Sequence, residues 1–389
     1  MESSPAFLRG GFRPFFLAGA AWAVIALSVW LYVLATGGTL PSTFDPLSWH
    51  RHEMLFGFVG AVIAGFLLTA IPNWTGQLPI AGAPLAALAS FWLLGRLAVL
   101  FSSVVGGMLA AILDAGFYVL LALIAAREVL RANNRNVPIV GIVLLFGLAN
   151  SLDHASVLGL PVSSDLAWQL AVLLVVILIS LVGGRIVPSF TRNWLTKQGI
   201  RDGLPTQPGK FDLAVIALTG FALLGWMSAP AGVPSGSLLL AAALAQAVRL
   251  IRWRGWRAAA DPLVLVLHVG YAWLPIGLAL LGAVQIGAPL PRSAAVHALT
   301  AGAMATMILA VMTRATLGHT GRELRASRAT VLCYLLVTIG AVLRVTAALQ
   351  LVDYRVGMEI AGAAWIGAFL LFLGAYGPML FTPRVDGKP

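Results

Sequence analysis

"SWHRHEMLFGFVGAVIAGFLLTAIPNWTG", residues 48–76, decides the fold. His50, Arg51, His52 and Glu53 stand consecutively at its mouth, and an apolar run long enough to cross a bilayer follows. Ionisable side chains at such a position are costly unless they bind something, pair or face water. The composition supplies the setting: 60% of the 389 residues are hydrophobic and 10% charged, with a mean hydropathy of +0.93. An ordinary globular domain is roughly 25% charged, so this is an integral membrane protein. The apolar runs are helix-length, which favours helical spans over a barrel of short alternating strands.

Apolar windows recur near residues 15–36, 52–71, 83–103, 106–126, 138–159, 166–187, 212–229, 233–250, 262–283, 294–313, 329–350 and 358–380. The expected architecture is therefore all-α, with twelve transmembrane helices in a single transmembrane domain over 1–389. The run at 15–36 is too long for the h-region of a cleaved signal peptide. Cys333 is the one cysteine, which excludes an intramolecular disulfide and a cysteine metal cage.

Positive charges orient the spans. Arg9 and Arg13 precede span 1, and Arg127, Arg131 and Arg135 follow span 4. Arg185, Arg192, Lys197, Arg201 and Lys210 lie around the end of span 6, and Arg249, Arg252, Arg254 and Arg257 follow span 8. Arg314, Arg322, Arg325 and Arg328 surround the loop after span 10, and Arg384 and Lys388 close the chain. Only Arg51, Arg292 and Arg355 fall on the opposite side, with Arg96 and Arg344 inside spans. The positive-inside rule then places both termini in the cytoplasm. The net charge of +11 reports topology, and nucleic acid need not be invoked.

The orientation sorts the histidines. His50 and His52 open span 2 at the outer face, His154 lies near the outer end of span 5, and His297 near the outer start of span 10. His268 falls in the inner half of span 9, and His319 just past span 10. Imidazoles from three helices at one depth point to a metal or haem, because histidine is the commonest protein ligand for transition metals. All six are metal candidates; a lone intramembrane histidine, however, is more often a hydrogen-bonded structural residue. Glu53 and Asp153 each adjoin an outer histidine and could orient a metal-bound ring, or simply be solvated interfacial acids. Asn73, Arg185, Asn193, Arg314, His319 and Arg322 collect at inner ends, where a structural network is the expectation. Tyr271, three residues beyond His268, could relay a proton.

Three helix ends look alike: "AIPNWTG" in span 2, "RIVPSFTRN" in span 6 and "RATLGHTGR" in span 10. With Thr75, Thr191 and Thr320 aligned, counting back 23 residues gives His52, Trp168 and His297. One match every four helices suggests three four-helix units, roughly 1–130, 131–257 and 258–389, in a pseudo-threefold arrangement.

Taken together, "GFRPFF" (11–16), "WHRHEMLFGF" (49–58), "GFLLTAIPNWTG" (65–76), "GGRIVPSFTRN" (183–193) and "GHTGR" (318–322) resemble the NnrS family. These are twelve-span bacterial membrane proteins that bind haem and copper and are associated with nitric oxide. The resemblance covers nearly the whole chain. A more distant similarity is to haem-copper oxidases and respiratory nitric oxide reductases, which hold a low-spin haem between histidines of helices 2 and 10. It implies a b-type haem between His52 and His297, with Arg51 and Arg292 as cations for its propionates. The analogy fails at helices 6 and 7, where those enzymes hold a second metal: span 6 has Trp168 at this register and span 7 has no histidine. Copper or a second haem would then use His154, His50, His268 or His319.

The resemblance implies reduction of nitric oxide, with electrons from quinol or a periplasmic redox protein. A transporter or metal carrier would also use intramembrane histidines, but favours helices broken at midplane. Here prolines and glycines gather at the inner ends instead. A haem protein that binds nitric oxide without turnover is the third reading.

Overall fold

The computed structural model describes residues 4–229 and 232–387; Lys388, used above to orient the chain, lies outside them. Among the described residues there are helices and no strands. Twelve helices are long and apolar enough to cross a membrane: Phe12–Thr36, Pro46–Thr75, Ala83–Leu100, Gly107–Arg131, Val137–Val157, Ser164–Lys197, Lys210–Ser228, Val233–Arg252, Pro262–Gln285, Arg292–His319, Arg328–Ala348 and Tyr354–Phe381. They are called spans 1 to 12 below.

Span 2 begins six residues before the apolar window. Asp45 caps it, its carboxylate accepting from the backbone N–H of Leu47 at 3.0 Å and Ser48 at 3.1 Å, with Pro46 at the first helical position. His50 to Glu53 therefore sit inside the helix, not at its mouth. At the other end, the α-helix runs through Pro72 to Thr75 and stops at Gly76, whose φ of 71° suits glycine. Span 6 likewise carries Pro188 in its interior and continues to Lys197.

Spans 2, 6 and 10, the three whose ends match in sequence, are also the three that widen into π-helical turns, at Glu53–Val59, Ile179–Gly183 and Ala298–Met304. A π turn carries one extra residue and frees carbonyls from the α ladder. In span 2 the freed groups are met from neighbouring helices. The Tyr118 hydroxyl donates to the Phe56 carbonyl, and Trp92 Nε1 donates to the Gly57 carbonyl at 3.3 Å. Gly57 is required at this point, because a Cβ there would lie 2.6 Å from Trp22 Nε1 and 2.5 Å from Glu53 Oε2.

Two compact units emerge. Unit 1 comprises Met1–Leu174, Ala315–Glu323 and Phe369–Pro389, and unit 2 comprises Val175–Arg314 and Leu324–Ala368. Within unit 1, span 2 is the central helix: 78% of its apolar window is buried, against 33% for span 1. Of the spans lying wholly within unit 2, span 9 is the most buried, at 67%.

Candidate metal centre

In unit 1 the N-terminal part of span 2 packs against spans 3, 4 and 5, and its polar residues meet theirs. His52 has no solvent exposure. Its Nδ1 lies 2.7 Å from Asp153 Oδ2 on span 5, and its Nε2 lies 2.7 Å from Asp114 Oδ2 on span 4. His154 Nε2 reaches the same Asp114 oxygen at 3.0 Å, and Asn150 Nδ2 donates to it at 2.8 Å. Helical spacing explains why span 5 supplies three partners: Asn150, Asp153 and His154 are i, i+3 and i+4 and share one face. Gly95 on span 3 brings the backbone of span 4 close, since a Cβ there would lie 3.2 Å from Asp114 Cα.

Arg96 ties the acids together. Fully buried, it donates to Glu53 Oε2 at 2.9 Å through Nη1 and to Asp114 Oδ1 through Nη2. Trp22 Nε1 donates to the same Glu53 oxygen at 2.5 Å. The cluster thus holds three buried carboxylates, Glu53, Asp114 and Asp153, against one guanidinium. Buried charge that stays uncompensated is strongly unfavourable. Protons on both imidazoles, or one divalent cation, would close the deficit.

Donor chemistry favours the cation. His52, Asp114 and His154 offer ligand atoms that all lie within 4.8 Å of one another. Two imidazoles and one carboxylate suit iron, copper or zinc better than the all-oxygen preference of calcium or magnesium. Asp153 against the far nitrogen of His52 is the arrangement that orients metal-bound imidazoles and raises their basicity. Three buried polar atoms around the cluster, Glu53 Oε1, Arg96 Nε and Asn150 Oδ1, have no hydrogen-bond partner. They leave places for the polar groups that accompany a bound ion. The residues present therefore fit a transition metal.

Aromatic rings close the site. Phe44 lies 4.7 Å from the His52 ring and 5.3 Å from that of His154, and Phe56 lies 5.1 Å from His52. The loop carrying Phe44 is fixed: Ser42 Oγ donates to the Val99 carbonyl at 2.8 Å, and Ser102 Oγ accepts from the Thr43 N–H at 2.8 Å.

The other residues singled out from the sequence lie elsewhere. His50 stacks on Trp30 at 4.8 Å. Arg51 donates to Ser48 Oγ at 3.0 Å, sits 3.7 Å from Asp165, and lies over the Trp168 ring. His319 packs against Phe12, with ring centroids 5.3 Å apart. In unit 2, His297 is half-buried with Nδ1 2.7 Å from the Ser293 carbonyl, and Arg292 lies over Trp226. His268 Nε2 meets Thr191 Oγ1 at 2.8 Å. Two expectations are corrected in detail. Asp153 orients His52, not its chain neighbour His154, and Glu53 pairs with Arg96, not with a histidine. Asp114, Asn150 and Arg96 are site residues that the depth of the histidines does not reveal, although Asp114 is the only acid in the apolar run 106–126 and an intramembrane carboxylate is itself a site signal.

Unit 2 holds a second buried polar cluster. Arg249 Nε donates to Asp212 at 2.7 Å, and its Nη1 donates at 2.9 Å each to the Ser180 carbonyl, Ser180 Oγ and the Tyr271 hydroxyl. Tyr271 donates to Gln246 Oε1 at 2.7 Å, and Gln246 Nε2 donates to Ser180 Oγ at 2.8 Å and Thr219 Oγ1 at 2.9 Å. One cation faces one carboxylate, and the polar atoms of these six side chains are all engaged or accessible.

No curated protein matches the chain. The family model described as "NnrS protein" matches residues 6–384. With nearly its whole length matched, twelve apolar helices among the described residues and a buried His–Asp–His cluster, the chain is a membrane protein of the NnrS family, a family associated with nitric oxide.

Proposed function

We propose that the protein removes nitric oxide by reducing it at a redox metal bound in the unit 1 cluster. The observation that carries this reading is the excess of buried carboxylate around two convergent imidazoles. Iron or copper bound there would supply exchangeable electrons and an open position for a small neutral ligand. His52, Asp114 and His154 would hold it. Asp153 fixes the His52 ring, and Arg96 restrains Asp114 through Oδ1 so that Oδ2 faces the two imidazoles. Phe44 and Phe56 exclude bulk water. Two nitric oxide molecules, two electrons and two protons give nitrous oxide and water. The charge-derived orientation sets both termini in the cytoplasm and this site near the periplasmic face of the inner membrane, within reach of quinol or a periplasmic donor.

A haem ligated by His52 is the second reading: Nε2 of His52 can serve only one metal, so the two readings exclude each other at that atom. Among the described residues His50, His268 and His319 belong to no group of three metal-binding side chains.

Purified protein is assayed anaerobically with reductant and nitric oxide, with nitrous oxide read by gas chromatography and metal by mass spectrometry. Stoichiometric metal that His154→Ala removes, with nitrous oxide formed, is expected. A Soret band lost in His52→Ala, with His154→Ala unchanged, selects the haem reading. Nitric oxide bound without nitrous oxide under several donors leaves a binding protein.

A further inference from the structure

The N-terminal segment, the end of span 10 and the chain after span 12 meet in unit 1, and they bring four arginines together. Arg13, 3% exposed, donates through Nη1 to the carbonyls of Leu380 and Thr382, both at 2.7 Å, which caps the end of span 12. Beyond it the chain folds back. The Val385 N–H donates to the Thr320 carbonyl at 3.1 Å, and Arg384 Nη1 donates to the His319 carbonyl at 3.5 Å. Asp386 takes Arg384 in a two-pronged ion pair at 2.9 and 2.7 Å. Gly321, with φ at 74°, lies against that carboxylate and leaves no room for a side chain. Arg9 Nε donates to the Ser4 carbonyl at 2.8 Å. Arg9, Arg322 and Arg384 are each close enough for their charge to bear on Arg13.

Helix capping accounts for Arg13 and Arg384, because cations favour the negative ends of helices. It leaves two facts over. Among the described residues, four guanidiniums are gathered where Asp386 and the exposed Glu323 are the acids of the adjoining segments. Arg322 donates through Nη2 to Thr382 Oγ1 at 3.3 Å, while its Nη1 is buried with no partner at all.

We infer that Arg322, with Arg9, Arg13 and Arg384 around it, binds a phosphate-bearing anion at the junction of the ends of spans 1, 10 and 12. A planar fork with one unused edge inside a fixed positive field suits a phosphoryl group, which offers several acceptor oxygens to adjacent guanidiniums. Because the segment after span 12 is already pinned by Asp386 and Thr320, the cations are held in place before a ligand arrives, which lowers the ordering cost of binding. Span ends lie at headgroup depth, and the charge-derived orientation sets this junction in the cytoplasmic leaflet, where anionic phospholipids attract clustered arginine.

The test uses full-length protein in neutral detergent. Thermal unfolding is followed while phosphatidylglycerol, phosphatidylcholine or inorganic phosphate is titrated in. Saturable stabilisation by phosphatidylglycerol and none by phosphatidylcholine is expected, with about tenfold weaker apparent affinity in Arg322→Gln. Arg325→Gln, an exposed arginine three residues on, should behave as wild type. Saturation by inorganic phosphate alone assigns the site to a free anion. Equal response to the two lipids with none to phosphate, or identical behaviour of the two variants, overturns the inference. Should Arg322→Gln fail to fold, Arg9→Gln read by native mass spectrometry of retained lipid gives the same decision.

Discussion

Two buried polar clusters lie beside π-helical turns, and they differ in how completely they are filled. The Arg249 cluster of unit 2 has one cation for one carboxylate, and Ser180, Gln246 and Tyr271 saturate one another. The His52 cluster of unit 1 has three carboxylates for one guanidinium and three partnerless polar atoms. Membrane interiors demand that buried polar groups be paired. A cluster that meets the demand internally holds helices together. One that does not is where the proposed metal would supply the missing charge.

The comparison can be broken most sharply at Asp114. Asp114→Asn keeps the shape but removes the charged ligand, so metal content should fall more than about a hundredfold in affinity, while thermal unfolding moves comparatively little. Metal retained at wild-type stoichiometry would place the ion elsewhere. In unit 2 the pattern inverts. Arg249→Ala strands Asp212 and should cost about 3–5 kcal/mol, read as a lowered unfolding midpoint in detergent, whereas the Arg249→Met, Asp212→Leu pair should regain most of it. Metal content should be untouched in both variants.

Asp153→Asn sharpens the comparison at an intermediate scale. It loses the orienting carboxylate but spares the ligands, so metal affinity should drop roughly 10–100-fold without loss of stoichiometry at saturation. The smallest effect is expected at His50, which stacks on Trp30 and belongs to no group of three metal-binding side chains among the described residues. His50→Ala should change stability by about 1 kcal/mol or less and leave metal and spectrum as they were.

The twelve spans were legible because apolar length is a one-dimensional property, and the windows differ from the helices mainly at their ends. Span 2 starts early because Asp45-Pro46 is a capping signal lying outside the apolar run. His52 and His154 were legible as site residues from their depth. The rest of the cluster was only partly so. Asp114 and Arg96 stand alone in apolar runs and carry the warning on their face, whereas Asn150 is conspicuous only once span 5 is known to face span 4. Which carboxylate meets which ring nitrogen depends on helix rotation, and the π turns set that rotation. No hydropathy pattern reports it.

Those turns carry a genetic consequence. Glu53–Val59 contains one residue more than an α-helix would need, and that surplus sets the azimuth of His52 relative to Gly60–Thr75, the α-helical remainder of span 2. Removing a single residue from this stretch would let the helix relax to a regular wind and swing the imidazole by about 100°, a little over a quarter turn, away from Asp114. Substitution scanning at these positions reads side chains one at a time; a one-codon deletion reads the phase of the whole helix.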